Sequence, residues 1–197
     1  MGVSGSGVSG IPFTVDASGD VAFAGALSQD GNTSAAGVGI TAGSGTLFGS
    51  GVERIGTMFK TTIIVDLTGL NSKNTDLDII GVDGTGVAHL GQITAALNGT
   101  IFMGNMRCIE LPAGGDPNIS LYSAAEATGV EDTLISALTE TLLLNSQGDG
   151  TDWAAGDDIN IATFPAANEY LYLVQGDATG TDGTYTAGKF IIEFWGV

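Results

Sequence analysis

Lys189-Phe190-Ile191-Ile192-Glu193-Phe194-Trp195 and Thr61-Thr62-Ile63-Ile64-Val65 decide how this chain is read. Both are rich in the β-branched and aromatic side chains that fit a pleated, half-buried surface. Working outward, strand candidates follow at residues 58–67, 77–82, 87–97, 100–111, 119–122, 139–145, 158–163, 169–175 and 189–197. Turn sequences separate them: Asp83-Gly84, Asn98-Gly99, Gly114-Gly115-Asp116-Pro117, Gly148-Asp149-Gly150 and Asp182-Gly183. Asn98-Gly99, between two apolar runs, reads as a two-residue type I′ hairpin. Eight or nine strands with turns every ten residues or so predict an all-β chain, a β-sandwich in its jelly-roll form. One segment competes with that reading. Thr128-Gly129-Val130-Glu131 has capping-box spacing, and Val130, Leu134, Leu138 and Leu142 recur every four residues. A short helix over residues 130–138, followed by a strand, is the alternative there.

Composition sets the class. Of 197 residues 43% are hydrophobic and 14% charged, which is enough apolar content for a core and too little charge for a disordered chain. Five basic side chains stand against 22 acidic ones, a formal charge of −17. Arg54, Lys60, Lys73, Arg107 and Lys189 are scattered singly, so neither nucleic acid nor an anionic membrane surface is an expected partner. No run approaches the roughly 18 apolar residues of a membrane span. The start, Met1-Gly2-Val3-Ser4-Gly5-Ser6, has no cationic or apolar signal region, and its match to a myristoylation pattern follows from Gly/Ser content alone. Synthesis in a cytoplasm is expected.

Glycine divides the chain. Residues 1–56 hold 14 of the 32 glycines and five charges, so they read as a Gly-rich N-terminal arm ahead of a compact β-sandwich at 57–197. In the arm, Pro12-Phe13-Thr14-Val15-Asp16 and Val21-Ala22-Phe23-Ala24-Gly25-Ala26-Leu27 flank the turn Ala17-Ser18-Gly19-Asp20. Strands so thin in side chains need a neighbouring chain to cover them, which points to a homotrimer with residues 12–55 in its interface. Ile11, Phe13 and Val15 lie on one side of a short apolar strand after a flexible leader. They are the predicted docking residues, able to add to an exposed sheet edge on a partner.

The residues offer little to chemistry. His89 is the one histidine, no G-x-S-x-G elbow is present, and no catalytic residue is assigned. Gly5-Ser6-Gly7-Val8-Ser9-Gly10 matches a phosphate-binding spacing but runs into Pro12, so no cofactor is expected. Asp149, Asp152, Asp157 and Asp158 put oxygens on tight turns, yet they read as solvated turn acids, with no metal expected. Cys108, in an apolar run, reads as a small buried hydrophobe. Tyr122, Trp153, Tyr170, Tyr172, Tyr185 and Trp195 could stack on sugars, although core or interface packing explains them better.

The stretch Phe13-Thr14-Val15-Asp16-Ala17-Ser18-Gly19-Asp20-Val21 is similar to hairpins that recur in tailed-bacteriophage virion proteins. Two thirds of the chain, from Thr61-Thr62-Ile63-Ile64-Val65 through Glu169-Tyr170-Leu171-Tyr172-Leu173 to Phe190-Ile191-Ile192-Glu193-Phe194-Trp195, resembles small structural proteins of such phages. The resemblance implies a head decoration (cement) protein or head fibre, a trimer on the virion exterior bound to the major capsid protein. It carries no functional residue with it, and the missing repetitive stalk argues against a long tail fibre. A glycan-binding module for host adhesion is the second reading, and a polysaccharide-active enzyme the third.

Overall fold

The computed structural model describes residues 34–73, 75–146, 151–176 and 181–197, together with the backbone of Phe13–Val15 and Val21–Phe23. In chain order the strands are β1 (Phe13–Val15), β2 (Val21–Phe23), β3 (Phe48–Ile55), β4 (Met58–Asp66), β5 (Asn71–Ser72), β6 (Gln92–Ile93) and β7 (Ile101–Ala113). After them come β8 (Ile119–Ala124), β9 (Glu140–Leu144), β10 (Asp158–Asn160), β11 (Glu169–Gln175), β12 (Gly183–Thr184) and β13 (Ala187–Gly196). Among the described residues helix is limited to single turns, α1 (Val38–Thr41), α2 (Ala95–Asn98) and a 3₁₀ turn at Ile135–Ala137. The chain is all-β and sandwich-like.

Two antiparallel sheets make the body, ordered β10-β7-β13-β4-β3 and β6-β11-β8-β9. Their pairing is nested: β4 pairs with β13, β6 with β11, β7 with β10 and β8 with β9. In β13 the alternation is complete. Phe190, Ile192 and Phe194 are buried, while Lys189, Ile191, Glu193 and Trp195 stand on the other face. The core gathers these with Ile63 and Val65 of β4, Met106 and Cys108 of β7, and Leu121, Leu171 and Leu173 of the other sheet. Trp153 plugs it, its ring edge-on to Phe190 at 5.3 Å and its Nε1 donating to the Ile119 carbonyl at 2.7 Å. A buried indole is stable only with such an acceptor.

Four expectations change. The chain divides into compact units at Met1–Gly31 and Asn32–Val197, so the expected arm of 1–56 is too long. Ile40 is fully buried and β3 runs the length of β4, which makes residues 34–55 part of the sandwich. Asn98-Gly99 forms no hairpin: Thr94 caps α2 by accepting from Leu97, and buried Asn98 accepts from the Thr94 N–H while donating to Thr61. Gly99, at φ +70°, ends that turn where a Cβ would lie 2.7 Å from the Val197 nitrogen. Residues 130–138 form no α-helix, because Asp132 is left-handed (φ 60°) and Val130 bridges to Val87. Residues 77–82 and 87–97 shrink to bridges and β6, interrupted by left-handed Leu77, Gly86 and Gly91.

Candidate functional site: the outer sheet face and its alternatives

Among the described residues nothing is packed over the outer face of the five-stranded sheet. Register places Gly49, Ile64, Ile191, Arg107 and Asp158 in one row across it. The next row is Gly51, Thr62, Glu193, Asn105 and Asn160, and the one after it Glu53, Lys60, Trp195 and Met103. Ile64 is 46% exposed, Met103 47% and Ile55 53%, whereas Ile191 and Trp195 are half-buried by their neighbours. Gly49 and Gly51 have open space where a Cβ would stand, so the β3 end of the face is flat.

Three of the five cations of the chain lie on this face, each tied to a carboxylate of a neighbouring strand. Lys60 Nζ is 2.5 Å from Glu193 Oε1 and 5.5 Å from the centre of the Trp195 ring. Arg107 donates from Nη2 to Asp158 Oδ2 at 2.6 Å, and Asn105 donates to Asp158 Oδ1 at 2.6 Å. Those two hydrogen bonds, Asn105 first, hold the Asp158 carboxyl below its ordinary pKa. Lys189 bridges Glu110 and Asp66, the latter at 3.1 Å. Burial pushes the Asp66 carboxyl up, but hydrogen bonds from Thr68 and Lys189 outweigh it and leave the pKa lowered. The Arg107–Asp158 pair is exposed and the Lys60–Glu193 and Lys189–Asp66 pairs are partly so, and ion pairs that keep contact with water add little to stability. Their larger effect is on charge: the face carries Lys60, Arg107 and Lys189 against Glu53, Asp66, Glu110, Asp158 and Glu193, a net −2 in a chain of −17.

A second cluster is acidic and buried. Asp78 is 3% exposed and Glu131 7%, and neither Asp78 Oδ2 nor Glu131 Oε1 has a hydrogen-bond partner. Lys73 Nζ stands 3.7 Å from Glu131 Oε1, an ion-pair separation too long for a hydrogen bond. Burial raises the Glu131 pKa to about 7 against the pull of Lys73, and burial with nearby Asp132 raises that of Asp78. Among the described residues, no group of three or more His, Cys, Asp or Glu is arranged to hold a metal ion.

Comparison with known proteins finds no match: no family model, no curated protein and no solved structure is similar to this chain.

Of the predicted docking residues, Ile11 and the side chains of Phe13 and Val15 lie outside the described residues. The backbone of Phe13–Val15 does have a partner, pairing with Val21–Phe23 in register Phe13↔Phe23. The strand that would add to a partner's sheet edge is thus one of an antiparallel pair, with one edge occupied by β2. Asp149 also lies outside the described residues; Asp157 Oδ2 accepts from the Ala154 N–H at 2.6 Å, and Asp158 is taken by Arg107 and Asn105. Cys108 is buried, its Sγ donating to the Glu110 carbonyl, and burial pushes its pKa up to about 11, so the thiolate is scarce at neutral pH. His89 packs on Tyr170 at 4.9 Å, its pKa lowered by burial. Trp153, Tyr172, Tyr185 and Tyr122 are buried, which leaves Tyr170 and Trp195 as half-exposed aromatics. Among the described residues no helix is long and apolar enough to cross a membrane. The sequence missed the bare face, since only register shows that Ile64, Ile191, Met103 and Trp195 adjoin.

Proposed function

We propose that the chain is a virion structural protein of a tailed phage, a capsid decoration or head-fibre subunit that works through its surfaces. The observation that carries this reading is the nested strand order. With the β1–β2 pair, edge strand β3 and the small β5–β12 ladder set aside, eight strands remain, and the first pairs with the eighth, the second with the seventh, the third with the sixth and the fourth with the fifth. That order supports the jelly roll, an architecture of viral capsid and lectin domains that closes two Greek keys into paired sheets. The largest unexplained feature of the body is an open, charge-paired sheet face, which suits contacts between proteins better than turnover of a small substrate.

On this reading the subunit is a homotrimer on the capsid exterior, attached to the major capsid protein through its N-terminal segment. Ile11, Phe13 and Val15 supply pocket contacts, and three copies act together by avidity, on the order of 10²–10⁴-fold. The test is deletion of residues 1–15 followed by co-sedimentation with purified particles. The truncated protein is expected to keep its fold and oligomeric mass but to stay in the supernatant. Full occupancy on capsids would move attachment to the sandwich itself. Half-exposed Tyr170 and Trp195 favour a second reading, glycan adhesion, since lectins share the architecture. A glycan array that is positive for the intact chain and lost in Trp195→Ala would support it.

A further inference from the structure

We propose that the outer face of the five-stranded sheet is the surface on which this chain meets a second copy of itself. The inference rests on the homo-oligomeric part of the reading above and is independent of its capsid part.

Charge selects the occupant. Two bodies of −17 repel over most of their surface, and the repulsion is weakest where cations are concentrated. Lys60, Arg107 and Lys189 are all on this face, which leaves Arg54 and Lys73 for the rest of the chain. Cations and carboxylates alternate across the strands, so a symmetry-related copy can offer Glu193 or Asp158 to Lys60 or Arg107, and the repulsion left by a face of net −2 is far below that of a chain of −17. Between the ion pairs lie Ile64, Ile191, Met103 and Trp195, and apolar side chains flanked by satisfied polar groups are the composition of an interface core and rim.

Size agrees. Strands about 4.8 Å apart, rising about 3.3 Å per residue, give a five-stranded face of roughly 500 Å², so two copies cover roughly 1,000 Å² in total. That is the area at which specific association begins. Flat positions at Gly49 and Gly51 let a sister sheet approach β3 closely.

The test is the mass of the full-length chain by sedimentation velocity, at micromolar concentration and 0.15 M salt, beside the double variant Ile64→Asp/Met103→Asp. Both side chains are half-exposed, so the fold by circular dichroism is expected to be unchanged while the dissociation constant rises at least about 100-fold, giving a monomer. A variant that keeps the wild-type oligomeric mass overturns the assignment of the face, whether residues 1–31 or another protein cover it, and leaves the oligomer reading standing. A monomeric wild type overturns both. Should the double variant fail to fold, Ile64→Cys replaces it: Cys108 is buried, so an oxidised dimer on a non-reducing gel is expected, and its absence counts against the face.

Discussion

The two sheets of the sandwich are built from similar residues but finished differently. In the four-stranded sheet every residue of β8 is buried, because both faces are covered. Residues 126–138 lie across its outer side, where the Tyr172 hydroxyl donates to the Glu126 carbonyl and accepts from the Gly129 N–H, with Leu138 and Ile79 beside Gly129. Among the described residues the five-stranded sheet has no such cover, and its outer side chains settle their charges across strands instead. One sheet is completed within the chain. The other presents partly exposed isoleucine, methionine and tryptophan, the side chains from which association with a second copy is inferred.

That contrast can be broken most forcefully in the core. Leu173→Ala, at a fully buried position of β11, is expected to cost about 2–5 kcal/mol in urea unfolding, through lost burial and the cavity left behind. Ile64→Ala, on the bare face, should cost the isolated subunit under about 1 kcal/mol. Equal losses at the two positions would mean that the outer face of the five-stranded sheet is packed as tightly as the core.

A smaller effect separates the sheets by pH. The Glu131 carboxyl holds its proton more tightly folded than unfolded, so its share of stability is full below about pH 4.5 and is lost as pH rises through about 7. Glu131→Gln removes the buried charge and is expected to raise the melting temperature by several degrees at pH 8, with little change at pH 4. A melting temperature that falls at pH 8 would show that the pair with Lys73 outweighs burial.

Tyr172→Phe comes next. It deletes both hydrogen bonds of the covering segment and is expected to destabilise by about 1–2 kcal/mol. Asp158→Asn, on the bare face, gives the smallest change, under about 1 kcal/mol, because its ion pair with Arg107 is solvent-exposed. A larger loss for Asp158→Asn than for Tyr172→Phe would reverse the account of which sheet the chain itself finishes.

Residues 169–175 could be read from the sequence to the residue, and β4, β7 and β13 to within two, because unbroken β-branched and aromatic runs leave little choice of conformation. Where tertiary contacts decide, local reading failed. Asn98-Gly99 has hairpin chemistry, but the Asn98 side chain finds Thr61 and the Thr94 backbone instead. The helical spacing of Val130, Leu134 and Leu138 is real, yet the segment is drawn into bridges with Val87 and Asp78. Gly49 and Gly51 made residues 48–55 resemble a loose arm, although a glycine on an open face costs the strand no packing partner. The bare face itself was invisible because Lys189-Phe190-Ile191-Ile192-Glu193-Phe194-Trp195 reads as an ordinary half-exposed strand. Only the register with β4 and β7 lines up its exposed half with Ile64, Lys60, Met103 and Arg107.

Met103 and Met106 lie three residues apart on β7 and face opposite ways, Met103 half-exposed on the bare face and Met106 fully buried in the core. Brief peroxide oxidation of the unmodified chain, read by peptide mass spectrometry across a dilution series, therefore carries its own internal control. Met106 is expected to oxidise slowly at every concentration. Met103 is expected to be protected at high concentration and to become several-fold more reactive on dilution, as sister copies leave the face. Fast oxidation of Met103 that is the same at all concentrations would contradict the claim that this sheet is finished by a second copy of the chain.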